Sequence, residues 1–242
     1  MFKNEILKLN GEKTLITGAT GGIGKEIVKV FSRYNQKITA LGRSIEKLNE
    51  LNDMCLETKS IDINNESEIK NYVKNIEKID NLILCHGIIG ARPMRMVGKS
   101  FLNEVIQNNL ISTIDFVSNL LRSNKINKPG RIIFISSVSA HMGANNTVPY
   151  AASKAGAEIA FKGLARDLLK KDITVNSICP AAIDTPLWEG NIGNAVNNIE
   201  DYPLGLGEVE DVANACVFLC LNGSKFITGE SIILDGGAVK IN

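Results

Sequence analysis

The stretch TLITGATGGIGKEIVKVFSRY, Thr14 to Tyr34, changes its periodicity partway along. Thr14 to Thr17 is a short β-branched run of the kind that makes a buried strand, and from Ile23 to Tyr34 the apolar residues return at helical spacing. Between the two lies TGATGGIG, with Gly18, Gly22 and Gly24 just ahead of the helix. Glycine lets the chain turn tightly and brings backbone N–H groups, at the positive end of a helix, close to a pyrophosphate. Glycine-rich turns are common, so the order strand, turn, helix carries the reading. A P-loop would end in the same Gly24-Lys25 pair, but Glu26 stands where a magnesium-binding Ser or Thr belongs and Ala19 where its first glycine belongs. The spacing is G-x-x-x-G-x-G, which differs from the G-x-G-x-x-G of ordinary dinucleotide folds.

The same alternation runs through the rest of the chain. Further strands are expected at Lys37–Leu41, Glu57–Ile61, Asn81–Cys85, Arg131–Ser136, Ile173–Cys179 and Ser231–Asp235. Helices are expected at Ser44–Met54, Glu66–Glu77, Phe101–Arg122, Tyr150–Lys170 and Val209–Leu221. This order predicts an α/β fold: a doubly wound, parallel, seven-stranded sheet with helices on both faces, joined by right-handed crossovers. A chain of 242 residues suits one such domain over 1–242. The least patterned segment, 186–203, is expected to be a substrate lid.

Composition excludes several roles. Lysine and arginine (27) balance aspartate and glutamate (26), so nothing favours nucleic acid. The N-terminal residues carry charge where a signal peptide needs an apolar run, and Ala215–Leu221 is too short to span a bilayer, so a cytosolic protein without a membrane is expected. The five cysteines form no C-x-x-C pair, and no metal or disulfide framework is expected.

In VPYAASKAG, Val148 to Gly156, a tyrosine and a lysine lie four apart among small residues, so Tyr150 and Lys154 share one helix face. TGATGGIG and YAASK together resemble the two motifs of the short-chain dehydrogenase/reductase family. Asp62, Asn109, Ser137, Pro180 to Thr185 and FITGESIILDGG follow the same family order along nearly the whole chain. The resemblance implies a single-domain Rossmann fold, a nicotinamide cofactor and reversible hydride transfer between alcohol and carbonyl.

Reducing a ketone places negative charge on its oxygen, which calls for a proton donor and a hydrogen-bond donor aimed there. Tyr150 and Ser137 are assigned these roles. Ser137 is chosen because the family serine lies thirteen positions before Tyr150, with Ser136 as the fallback. The Lys154 cation and the positive nicotinamide ring of the oxidised cofactor are expected to draw the phenol, ordinarily near a pKa of about 10, towards neutrality. By resemblance Lys154 also holds the nicotinamide ribose, and Asn109 positions a water that resupplies protons. A serine hydrolase is disfavoured, because there is no G-x-S-x-G elbow and only two histidines, His86 and His141. His141 and Trp188 are candidate substrate contacts, and His86 is expected to pack rather than react.

Cofactor contacts implied by the resemblance are Gly18, Thr20, Gly21, Gly22, Ile23 and Gly24 in the turn, then Asp62 and Ile63, Cys85 and Gly87. Asn109, Tyr150, Lys154, Pro180, Ile183 and Thr185 complete the set. Gly42 occupies the position of the acid that binds the ribose of NAD, and Arg43 follows. This pair predicts NADP(H), with NAD(H) as the alternative. The chain departs from the family at LCHG, Leu84 to Gly87, where N-N-A-G is usual, and at Ala181, where glycine is usual.

The leading expectation is a reductase of a small or carrier-bound 3-oxo substrate, like the 3-oxoacyl-acyl-carrier-protein reductase branch. Lys125, Lys128, Lys170 and Lys171 are placed beside the site as a dock for an acidic carrier. A nucleotide-sugar or polyol oxidoreductase is the enzymatic alternative, and a non-catalytic dinucleotide sensor the alternative from another class. Homo-oligomerisation, as dimer or tetramer, is implied through the long helices and the C-terminal strand.

Overall fold

Seven strands form one sheet in a computed structural model that describes residues 5–143, 145–183 and 202–238. They are β1 (Lys13–Thr17), β2 (Lys37–Gly42), β3 (Glu57–Ser60), β4 (Ile79–Leu84), β5 (Ile126–Ile135), β6 (Ile173–Pro180) and β7 (Ser231–Leu234). Their order is β3-β2-β1-β4-β5-β6-β7, and every neighbouring pair is parallel. Strand order reverses between β1 and β4. A crevice at the carboxyl ends of these two strands is where this architecture places ligands.

Side chains alternate across the strands and make two cores. Ile16, Ile83, Ile133, Ile135 and Ile178 pack on one face, beneath α1 (Gly22–Ser32) and α8 (Val209–Cys220, as numbered here in chain order). Leu15, Leu82, Leu84, Ile132, Phe134 and Val175 pack on the other. There they meet α3 (Glu66–Asn75), α5 (Ser112–Arg122) and α7 (Val148–Leu168). The remaining helices are α2 (Ile45–Asn49), α4 (Lys99–Ile106) and the single turn α6 (Ser139–Met142). Among the described residues no helix is long and apolar enough to cross a membrane.

Two expected helices are interrupted. Ser44–Met54 ends at Asn49 because buried Leu51 turns inward, its N–H bonding back three residues to Leu48 at 3.0 Å. Phe101–Arg122 is broken by a π-helical turn over Gln107–Ile111. Ser112 and Thr113 there donate their hydroxyls to the carbonyls of Asn108 and Asn109, at 2.8 and 3.0 Å. Such back-bonding competes with the regular ladder, and one-turn π bulges gather at functional sites. The expected lid at 186–203 lies outside the described residues except for its last two.

Candidate active site

At the carboxyl end of β1 the glycine turn is shaped by contact. Gly18 has φ +65°, and a Cβ there would lie 2.6 Å from the His86 nitrogen. A Cβ on Gly24 would run into the Gly18 carbonyl, 2.8 Å from its carbon. The N-cap of α1, Gly21, makes no side-chain capping bond, and the first turn holds no acid. Its leading N–H groups are therefore left for a ligand, at the positive end of the helix. The turn fits the pyrophosphate of a nicotinamide nucleotide. Thr20 borders Gly42, where an added Cβ would approach the Thr20 methyl to 2.8 Å, so a larger residue at 42 requires the Thr20 side chain to shift. Arg43 next to it is exposed and enters no ion pair among the described residues.

Across the crevice, α7 carries Tyr150 and Lys154. The phenol lies near Ser137, which acts to lower its pKa, and Ser137 Oγ accepts from the Ser139 N–H at 3.1 Å. Ser136 turns the other way, donating to the Glu158 carboxylate at 2.8 Å. Of the two candidate serines, Ser137 is the one left free of the Glu158 carboxylate. Lys154, only 5% exposed, donates to the Ile135 carbonyl at 2.8 Å. Its ammonium lies 4.9 Å from the Phe134 ring centre and 5.8 Å from that of Tyr150.

In the protein without nucleotide, burial dominates the electrostatics of the pair. Burial pushes the Tyr150 phenol up to about 12, against a lowering from Ser137, and the same burial brings Lys154 down to about 8. Removing solvent from both groups outweighs their attraction at this separation. The tyrosine accordingly rests as a phenol, with its proton in place.

Asn109 sits in the π turn and is fully buried. Its Oδ1 accepts from the Ile88 N–H at 2.8 Å, and its Nδ2 donates to the Ile88 carbonyl at 2.9 Å and to Ser153 Oγ at 3.0 Å. Ser153 donates in turn to the Tyr150 carbonyl at 2.7 Å. The chain of bonds fixes the strand-to-helix loop after β4 against the start of α7. Gly87 completes the meeting point: a Cβ there would lie 3.0 Å from Asn109 Oδ1 and 3.4 Å from Lys154 Nζ.

His86 replaces a small residue of the family pattern and forms a bridge. Nε2 lies 2.9 Å from Thr113 Oγ1 and Nδ1 lies 2.7 Å from Thr17 Oγ1. Because Thr113 gives its own proton to the Asn109 carbonyl, the network assigns the ring proton to Nε2, with Thr17 donating to Nδ1. Burial, helped by the Lys154 cation, lowers this imidazole to about 3, so the folded protein holds it neutral. An unfolded histidine protonates below about 6.5. The unfolded state thus binds the extra proton between these values, and stability falls as pH drops through that window. His86→Asn should show a smaller loss of urea midpoint between pH 7 and pH 5 than the wild-type chain. Equal losses would disprove the bridge.

Most of the other expected cofactor contacts among the described residues stand at the carboxyl ends of strands, on the edge of the sheet that holds the crevice. Asp62 and Ile63 follow β3, half-buried, and Asp62 Oδ1 accepts from the Asn64 N–H at 3.0 Å. Cys85, raised to about 12 by burial, is an unreactive thiol beside the turn. Pro180 closes β6, and Ile183, buried, bridges to Gly207. His141 Nε2 lies 3.0 Å from the Glu158 carboxylate. Thr185 and Trp188 lie outside the described residues. Lys125, Lys128, Lys170 and Lys171 do not flank the site: they stand at the amino ends of β5 and β6, opposite the crevice. Lys125 also donates to the carbonyls of Lys74 and Ile76.

Sequence reasoning passed over Glu158. Although burial acts to raise its carboxyl, bonds from Ser231, Ser136 and Cys179, with His141 nearby, hold it below the usual range. Its one signal was the spacing Tyr150, Lys154, Glu158, which puts all three on one helix face.

Known proteins match this arrangement over most of its length. The family profile described as Enoyl-(Acyl carrier protein) reductase matches residues 18–239. The 3-oxoacyl-[acyl-carrier-protein] reductase FabG of Rickettsia felis is 31% identical, over 98% of this chain and 100% of its own. Among solved structures, a dehydrogenase/reductase from Sinorhizobium meliloti superposes with a TM-score of 0.87 at 26% identity, covering 97% of each chain. An oxidoreductase of the short chain dehydrogenase/reductase family from Burkholderia thailandensis does so with a TM-score of 0.83 at 28% identity, covering 94% of this chain and 92% of its own.

Proposed function

Because the chain belongs to the short-chain dehydrogenase/reductase family and is an NAD(P)-dependent oxidoreductase acting on CH–OH groups, we propose that it reduces a 3-oxoacyl-type ketone with NADPH. The observation that carries the reaction is the placing of Tyr150, Lys154 and Ser137 together: the Lys154 ammonium lies 5.8 Å from the centre of the Tyr150 ring, and Ser137 is near enough to the phenol to act on its pKa. When bound, the reduced nicotinamide supplies hydride to the carbonyl carbon. Tyr150, protonated at neutral pH, gives its proton to the carbonyl oxygen, and the Ser137 hydroxyl donates a second hydrogen bond to that oxygen. Lys154, with its ammonium 5.8 Å from the ring centre, stabilises the negative charge left on the phenol oxygen as the proton departs. Asn109 and Ser153 keep the tyrosine's helix in register with the loop after β4.

The choice of 3-oxoacyl substrate rests on the likeness to 3-oxoacyl-[acyl-carrier-protein] reductases over the whole chain. Initial rates of NADPH oxidation with an acetoacetyl thioester, a 2-enoyl thioester and a panel of keto-sugars test it. Turnover of keto-sugars or of the enoyl thioester, with none of the acetoacetyl thioester, would reject the proposal.

NADP over NAD is supported by glycine rather than an acid at 42 and by the exposed Arg43 beside it, which enters no ion pair among the described residues. Arg43→Ala should raise KM for NADPH by roughly 10- to 100-fold, the worth of a charge-assisted pair, and leave KM for NADH unchanged. Parallel changes for both nucleotides would remove Arg43 from the phosphate site. A homo-oligomer belongs to the same reading. Exposed Leu102, Ile111, Ile114 and Ile159 line the long helices, and Phe226 is almost wholly exposed near the sheet edge.

A further inference from the structure

Glu158 lies one helical turn beyond Lys154, and the reduction of a ketone has no use for it. Its residue is 3% exposed, yet it gathers donors from four other places in the fold. Oε2 accepts from Ser136 Oγ at 2.8 Å, just past β5, and from Cys179 Sγ at 3.2 Å on β6. Oε1 accepts from Ser231 Oγ at 2.7 Å on β7 and lies 3.0 Å from His141 Nε2 on α6. Lys162 approaches Oε1 only to 3.9 Å. One imidazole nitrogen, one carboxylate oxygen and one sulfur thus lie within 4.8 Å of one another.

These three donor types are the ones zinc takes, at about 2.0–2.2 Å for nitrogen and oxygen and about 2.3 Å for sulfur. Magnesium and calcium, which prefer all-oxygen surroundings, do not suit a site holding a thiol and an imidazole. Donors on such a tetrahedron stand roughly 3.5 Å apart, so a cation requires the widest pair, within 4.8 Å, to draw in while the contacts at 3.0 and 3.2 Å part slightly. His141 is the arm able to make it. Its side chain is 32% exposed, and its four-residue helix ends at Gly143, with φ +61°. Ser136 and Ser231 already supply the outer hydrogen bonds that orient a ligating carboxylate. Carboxylate and thiolate together balance a divalent charge, which suits a site sealed on all sides but one.

We propose that His141 Nε2, the Glu158 carboxylate and Cys179 Sγ form a zinc site behind the Ser137–Tyr150 pair, with a fourth position for water on the exposed side of His141. On binding, the Cys179 S–H bond breaks, its proton leaves to solvent, and a zinc–sulfur bond replaces the hydrogen bond to Glu158. No electrons change hands. Zinc would pin α6 to β6 and α7, and because the Ser139 N–H at the start of α6 bonds Ser137 Oγ, occupancy would hold the substrate-facing serine in place.

Chelator-stripped protein titrated with cobalt(II) chloride provides the test. The expected result is one equivalent bound, with tetrahedral visible bands and a sulfur-to-cobalt charge-transfer band that zinc chloride bleaches. Cys179→Ser should abolish the charge-transfer band, while Cys55→Ser leaves it intact. Should the Cys179 variant fail to fold, His141→Ala at the surface still decides: it should remove the rise in Tm that zinc chloride gives the parent. Ser231→Ala should weaken zinc binding by about 10-fold through the outer shell. Absence of one-to-one binding, a charge-transfer band that survives Cys179→Ser, or a zinc-induced Tm shift unaltered by His141→Ala would each overturn the site.

Discussion

Tyr150→Phe should lower kcat by about two to four orders of magnitude, the usual worth of a positioned general acid, while NADPH still binds. The substitution deletes one oxygen and keeps the ring in its packing. Ser137 is not left stranded, since its Oγ also accepts from the Ser139 N–H at 3.1 Å. The phenol, raised to about 12, holds the proton that reduction needs at neutral pH. Single-turnover rates with acetoacetyl thioester, paired with a fluorescence titration of NADPH, measure the two quantities separately. If the variant turns over at the parental rate, the proton comes from elsewhere. If neither protein turns over any carbonyl while both bind nucleotide, a dinucleotide sensor becomes the better description.

Gly24→Val should disable nucleotide binding and lower stability together. The new Cβ would collide with the Gly18 carbonyl, and Gly18 has nowhere to go: a Cβ of its own would already sit 2.6 Å from the His86 nitrogen. Forced repacking of this kind costs about 1–3 kcal/mol in ordinary cores, and here the obstacle is backbone rather than a flexible side chain. Displacing the turn by a fraction of the bond it must make should reduce kcat/KM on the order of 100-fold. Gly163→Ala, on the outer part of α7, is the control. Its Cβ would meet no side chain or neighbouring element within 4 Å, so its Tm and nucleotide affinity should stay near those of the parent. A Gly24 variant with parental affinity would show that the turn does not hold the pyrophosphate.

Much of this molecule is written in local patterns. Thr14–Thr17 and Arg131–Ser136 read as strands because β-branched residues run together, and the structure extends β5 back to Ile126 only because Ile126 pairs with Ile79 on the neighbouring strand. The long helix from Phe101 read as continuous because its apolar spacing carries through. The break at Gln107–Ile111 depends on hydroxyls that bond back to carbonyls and on an amide held by Ile88, a residue far away in sequence. The docking lysines show the same limit. Their nearness to strand ends was legible, but which end of the strand faced the crevice required the sheet itself.

By itself the sequence determined the parallel α/β sheet, the glycine turn and the shared face of Tyr150 and Lys154, since each follows from spacings within a few residues of one another. Only the tertiary structure decided that Ser136 turns away to Glu158, that burial raises the phenol, that His86 is neutral between two threonines, and that Glu158 gathers donors from His141, Cys179 and Ser231. The reason is physical: hydrogen-bond partners and the loss of solvent are set by chain segments that meet across the sheet, and no run of neighbouring residues contains that information.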